Sequence, residues 1–304
     1  MGAVQVIRPR EVALGADEGM AVRRTLPRRE RTLIGGWCFV DHYGPASIAE
    51  TGGMQVAPHP HTGLQTASWL FSGEVEHRDS AGHHALITPG ELNLMTAGRG
   101  ISHSELSTAR VSELHGVQLW IALPDDARHV APGFEHVVPA RIDDRDLSGS
   151  VFIGSLLGAA SAATVHSPLV GAELYVQPGR ILDLPVTSGF EHGVLLDAGA
   201  LRIDGQAVVP GELAVLGHGR SSIRIEPLVP SRLLLLGGAP LGESIVMWWN
   251  FIGRTHEEIE DYRRQWQAEV TGSADAPVFG MPFDDVAIPL AAPPLPAGRL
   301  RQRS

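Results

Sequence analysis

The sequence predicts an all-β chain: two β-barrels in tandem, a C-terminal helix and an extended tail. Three observations carry that expectation. Short apolar runs broken by Gly, Pro and Asp recur along most of the chain, the pattern of a sandwich or barrel. One motif occurs twice: Ile87-Thr88-Pro89-Gly90-Glu91-Leu92 is echoed by Val209-Pro210-Gly211-Glu212-Leu213. Only one segment, near residue 255, has clear helical spacing.

Taken in order, residues 1–20 alternate loosely (Val4, Val6, Val12, Leu14) and predict an edge strand or arm. Residues 32–41 predict a strand interrupted by Gly35-Gly36, with a turn over 42–45. Residues 56–106 hold short runs at 66–71, 75–77, 85–87 and 92–95, an antiparallel meander. A strand at 114–123 stops at Pro124-Asp125-Asp126. Residues 139–149 are polar and rich in turn formers, which predicts a linker between a first barrel (1–138) and a second (150–254). Strands follow at 151–156, 172–176, 180–184, 193–196 and 200–203. Thr255 with Glu258 forms a capping box, and Ile259, Tyr262 and Trp266 make an apolar stripe that should dock on a barrel. Residues 255–304 thus comprise the helix and a Pro- and Ala-rich tail whose stretch 289–296 predicts an extended strap.

Composition narrows the classes of function. A length of 304 residues fits two domains of ordinary size. No run of 18 apolar residues occurs, so no membrane span is expected, and residues 1–14 lack the apolar core of a secretory leader. All 24 basic residues are Arg and the net charge is −10, which argues against general nucleic-acid binding. The Arg23, Arg24, Arg28, Arg29, Arg31 cluster reads as a solvated or ion-paired segment. Cys38 is the single cysteine; it predicts a small buried apolar side chain, no internal disulfide and a reducing, cytoplasmic setting.

Two short pieces carry chemistry: His59-Pro60-His61 and His103-Ser104-Glu105. Side chains at i and i+2 of a strand share a face, so each piece offers a chelating pair. If the meander curls so that its first and last strands lie side by side, His59, His61, His103 and Glu105 surround one point. Burying imidazoles without partners costs a few kcal/mol each, and a metal ion removes that cost. Iron(II) suits imidazole plus carboxylate, with manganese, nickel, copper and zinc as alternatives; a closed structural zinc site would favour the cysteines this stretch lacks. Glu105 is also the candidate catalytic base.

The remaining histidines, His77, His83, His84, His115, His129, His136, His166, His192, His218 and His256, read as structural or exposed, and Asp41-His42 as part of a turn. Trp69, Leu94 and Trp120 are expected to line an apolar pocket for a planar substrate, while Gln118 either offers its amide or faces the surface. In the second copy both imidazoles of the first motif are missing at Leu184-Pro185-Val186. Setting Pro89 on Pro210 puts Arg224 on His103 and Glu226 on Glu105, so an Arg224–Glu226 pair and a metal-free second barrel are expected.

Pro58-His59-Pro60-His61, Gly73-Glu74-Val75-Glu76-His77-Arg78-Asp79-Ser80, the run from Met95 to Glu105 and Gly237-Gly238-Ala239-Pro240-Leu241-Gly242-Glu243 together resemble the pirin signature, over about residues 4–258. The resemblance implies a bicupin, two facing cupin barrels with iron in the first, held by three His and one Glu that map onto His59, His61, His103 and Glu105. It also implies a metal-dependent dioxygenase like quercetin 2,3-dioxygenase, opening a flavonol or related enediol with O₂. The alternative it implies is a non-enzymatic, redox-sensitive iron protein that binds a partner protein; a purely structural bicupin is the third reading. A monomer is expected. The family commonly reads Arg-Gly-Phe-Glu after the first motif, where this chain has Thr62-Gly63-Leu64-Gln65. Loss of the Arg widens or neutralises the pocket mouth, and loss of the Glu removes a carboxylate that could serve as ligand or base.

Overall fold

The computed structural model describes residues 3–14, 20–144 and 146–304. Met1 and Gly2, within the predicted N-terminal arm, lie outside them. The chain forms two barrels, each made of one seven-stranded and one four-stranded antiparallel sheet. In the first barrel the large sheet runs, edge to edge, Gly133–Val137, Leu92–Thr96, Leu64–Ser72, Glu113–Ala122, Trp37–Ser47, Ala21–Leu26 and Arg10–Ala13. Its small sheet runs Gln55–His61, Ile101–Ser107, Val75–Asp79 and His84–Ile87. The second barrel repeats the plan, its small sheet being Leu182–Pro185, Ser222–Pro227, Leu201–Ile203 and Gln206–Val208. The repeated Pro-Gly-Glu motifs occupy matching places: Gly90 and Gly211 both take left-handed backbone just before matching strands of the two large sheets.

The large sheets pack face to face. Trp37, Trp69, Val117 and Leu119 of the first meet Phe152, Leu195, Leu234 and Leu236 of the second in one buried cluster, with Trp69 stacked on Phe152 at 4.8 Å. Gly35 allows a close approach: a Cβ there would lie 2.6 Å from the Gly238 Cα, and its φ is +55°. This contact explains why glycines sit at both positions.

Several expectations change. The 139–149 segment is not a linker: Ala140–Asp143 is an edge strand paired with Ser148–Val151 of the second large sheet. Its polar composition reflects one solvent face at a sheet edge, with Ile142 turned inward. Gln5–Ile7, assigned above to the first barrel, pairs with Leu213–Val215 of the second, and the chain then crosses back. The turn expected at 42–45 is absent, because the strand Trp37–Ser47 runs through it and Asp41 and His42 are fully buried. Arg224 does not pair with Glu226. It points outward, 3.9 Å from exposed Asp183, while Ile223 and Ile225 of the same strand face inward.

The helix His256–Val270 starts as its capping box requires, with the Thr255 hydroxyl accepting from the Glu258 amide. Glu258 reaches back to the Arg254 amide at 2.7 Å. The helix docks through Ile259 and Trp266 onto Phe251 and Phe279 rather than directly on a barrel face. The tail straps back over the first barrel: Leu290 N–H donates to Pro58 O, and Trp266 Nε1 donates to Leu290 O. Cys38 is fully buried, and burial pushes its thiol well above the usual range. Among the described residues no helix is long and apolar enough to cross a membrane.

Candidate metal centre

The small sheet of the first barrel sets Gln55–His61 against Ile101–Ser107, with His103 directly opposite His59. A bulge follows, so that Glu105 pairs with Val56. His59, His61 and His103 are buried, and one ring nitrogen from each lies within 4.8 Å of the others. The Nε2 atoms of His61 and His103 are 3.1 Å apart. Glu105, also buried, stands beside this trio, its oxygen grouped with His103 and His77.

The outward nitrogen of each ring fixes its tautomer. His59 Nδ1 lies 2.9 Å from Ala57 O and His61 Nδ1 lies 3.1 Å from Asn250 O, and a carbonyl only accepts, so both Nδ1 atoms carry hydrogen. His77 Nε2 faces the Asp79 carboxylate at 3.2 Å and must donate to it. Its Nδ1 then accepts, at 3.3 Å, from His103 Nδ1–H. All three Nε2 atoms therefore carry bare lone pairs. Burial keeps the rings neutral, lowering His59 to about 4 and His61 and His103 well below the ordinary value. Lone pairs 3.1 Å apart repel unless a cation lies between them, so this donor set fits a first-row divalent ion. Burial also raises the Glu105 carboxyl, an effect opposed by His77 and by the Ser68 hydroxyl 3.3 Å away.

A cavity of about 390 Å³ opens onto the trio. Trp120 lines it, edge-on to His61 at 5.0 Å and stacked on Phe39 at 4.1 Å. Gln118, two residues earlier on the same face, also lines it and accepts from Ser68 at 2.8 Å, which settles its orientation inward. Trp69 and Leu94 do not line the pocket; they belong to the contact between barrels. Gln65 likewise faces away, donating to Thr96 Oγ1 and Thr164 O, so the residue replacing the family's Glu is remote from the cavity. The Arg cluster is largely paired: Arg24 grips Asp41 with two bonds of 2.6 and 2.7 Å, and Arg31 meets Glu191 at 3.1 Å.

A second cluster has ligand-type chemistry. His42 and His115 of the first barrel both place Nε2 2.7 Å from Asp197 Oδ1 of the second. Here Arg232 Nη2 lies 3.3 Å from His115 Nδ1, and a guanidinium only donates. The His115 Nδ1 must accept, so Nε2 holds hydrogen and donates to Asp197. Arg232 Nε completes the carboxylate at 2.6 Å. This is an inter-barrel clamp that is satisfied as it stands. Burial would raise Asp197, yet the bonds from His115 and His42 hold it well below the usual carboxylate range.

Fold and site together define a bicupin whose first barrel gathers three lone-pair imidazoles and a carboxylate. The chain belongs to the pirin family: the Pirin profile matches residues 19–121 and the Pirin C-terminal cupin domain matches residues 171–272. A Pseudomonas aeruginosa protein provisionally named a quercetin 2,3-dioxygenase is 41% identical, over 96% of this chain and 91% of its own length. Human pirin is 30% identical over 79% of this chain and 84% of its own. The crystal structure of quercetin 2,3-dioxygenase from Acinetobacter baumannii superposes with a TM-score of 0.91 at 37% identity, covering 98% of this chain and 97% of that one.

Proposed function

We propose that this chain is a metal-dependent dioxygenase that cleaves a quercetin-type flavonol or a related enediol with O₂, its metal held by His59, His61, His103 and Glu105. Iron(II) is the favoured ion. The observation that carries the reading is the convergence of three neutral imidazole lone pairs at the floor of an aromatic cavity. Membership of the pirin family and the names its relatives carry support it.

When bound, such an ion supplies Lewis acidity and open coordination positions. The chain's own residues supply the rest. Glu105, raised by burial, takes the proton of the substrate's enol hydroxyl. The Ser68 hydroxyl, which faces both Glu105 and Gln118 Oε1, holds that carboxylate in place. Phe39 and Trp120 form an apolar side of the cavity that excludes water and accepts a flat ring system. His77 and Asp79 orient His103, as the outer partner of a ligand imidazole does.

The test is elemental analysis of the purified protein followed by O₂ uptake with quercetin. The reading expects near-stoichiometric metal and uptake that is lost in His103→Ala while the fold persists. Metal-loaded protein that consumes no O₂ with flavonols or enediols would overturn it in favour of the redox-sensitive regulator.

A further inference from the structure

The segment leaving the second barrel returns to the first as a hairpin, Val246–Trp248 paired with Phe251–Gly253. Trp248 opposes Phe251, so the connection is the two residues Trp249 and Asn250. Two-residue hairpins want positive φ at their first central position, where Gly or Asn is usual. This chain has Trp249 there, at φ +51°. A bulky aromatic residue in left-handed backbone is strained, and such strain collects at sites of function.

The hairpin is pinned where the strain matters. Ile252 N–H donates to Thr62 O at 3.1 Å, and Phe251 bridges Thr62, the residue directly after His61. The Asn250 carbonyl accepts from His61 Nδ1. Trp249 lines the cavity together with the three imidazoles and Glu105, and its ring meets the Phe251 ring edge-on at 5.5 Å. Trp248 of the same hairpin lines it too, while the remaining aromatic lining, Phe39 and Trp120, comes from strands of the first barrel. The cavity thus has aromatic surface from two separate parts of the chain.

We infer that Trp249 is a specificity-determining residue: its indole stacks on the part of a multi-ring substrate that extends beyond the chelating group, selecting extended planar substrates over small ones. This rests on the dioxygenase reading above. It separates two tasks within one turn, the Asn250 carbonyl orienting a ligand imidazole and the Trp249 ring choosing the substrate.

The test is anaerobic calorimetric titration of nickel-loaded wild type, Trp249→Gly and Trp249→Phe. The probes are quercetin and the one-ring 3-hydroxy-4-pyranone, which carries the same hydroxy-ketone chelate. Glycine adopts the required backbone freely, so the turn should survive, and elemental analysis should find equal metal in all three proteins. Trp249→Gly is expected to weaken quercetin roughly 3–10-fold, the size of one aromatic stack, to leave the pyranone within about twofold, and Trp249→Phe to restore most of the loss. Unchanged quercetin affinity in Trp249→Gly would overturn the inference, as would equal weakening of both probes, which would make the turn merely a support for His61. Should loaded wild type bind neither probe, the dioxygenase reading fails and this inference falls with it.

Discussion

Two buried clusters of imidazoles lie in this protein, and they differ in what stands behind the rings. Behind His59 and His61 are main-chain carbonyls, and behind His103 is His77, whose far nitrogen is committed to Asp79. Behind His115 is a guanidinium, Arg232. Acceptors behind a ring turn its lone pair toward the centre; a donor behind it turns a hydrogen there. The same residue types, at similar separations, make a donor set suited to a cation in one place and a carboxylate-gripping clamp in the other. Ligand identity and spacing do not separate the two, whereas the outer partners do.

The sharpest way to break this comparison is to delete a ring from each cluster. His61→Ala should cost metal affinity more than the roughly 10–100-fold carried by a ligand's outer partner, measured by competition with a chelator. His115→Ala should leave metal content unchanged. Asp197→Asn should instead destabilise the fold by about 1–3 kcal/mol in urea titrations, because it removes the charge from a buried carboxylate that accepts from His42, His115 and the partly exposed Arg232, again with metal intact. Next in size, His77→Ala should lower metal affinity roughly 10–100-fold. A metal-free His115→Ala, or a His77→Ala indistinguishable from wild type, would dissolve the distinction.

His192 supplies the smallest and most delicate contrast. It is buried in the second barrel, and neither ring nitrogen has a hydrogen-bond partner among the described residues. Burial, with Arg220 nearby, lowers it from 6.5 to about 4. Below pH 6.5 the unfolded chain takes up this proton before the folded chain does, so stability falls as pH drops from 6.5 toward 4. His192→Leu should remove about 1 kcal/mol of that acid sensitivity at pH 5.5, seen as a flatter dependence of unfolding midpoint on pH. At pH 8 the histidine is neutral in both states, so no such difference should appear there.

Much of this was legible in residue types. The i, i+2 spacing of the two motifs marked the side chains that converge in the first barrel, and the Pro-Gly-Glu echo marked the doubled barrel. What was not legible depends on neighbours that sequence spacing does not reveal. His77 and Asp79 have the same i, i+2 relation as the motifs, but their role appears only once Val75–Asp79 is seen to pair with Ile101–Ser107. Trp69 and Leu94 were read into the pocket because alternation separates two faces without saying which is the barrel interior. Both faces of that sheet are buried here, so polarity offers no guide. The Asn250 carbonyl is main chain, common to every residue, and no side-chain pattern points to it.

The short strand Gln5–Ile7 completes a sheet whose neighbouring strand lies some two hundred positions later, Gln5 facing Val215. During synthesis Gln5–Ile7 must wait, unpaired, until Leu213–Val215 has emerged. Closure of the later barrel is thereby a late, non-local event. Dissecting the halves for separate expression would leave one of them with a raw sheet edge inviting self-association.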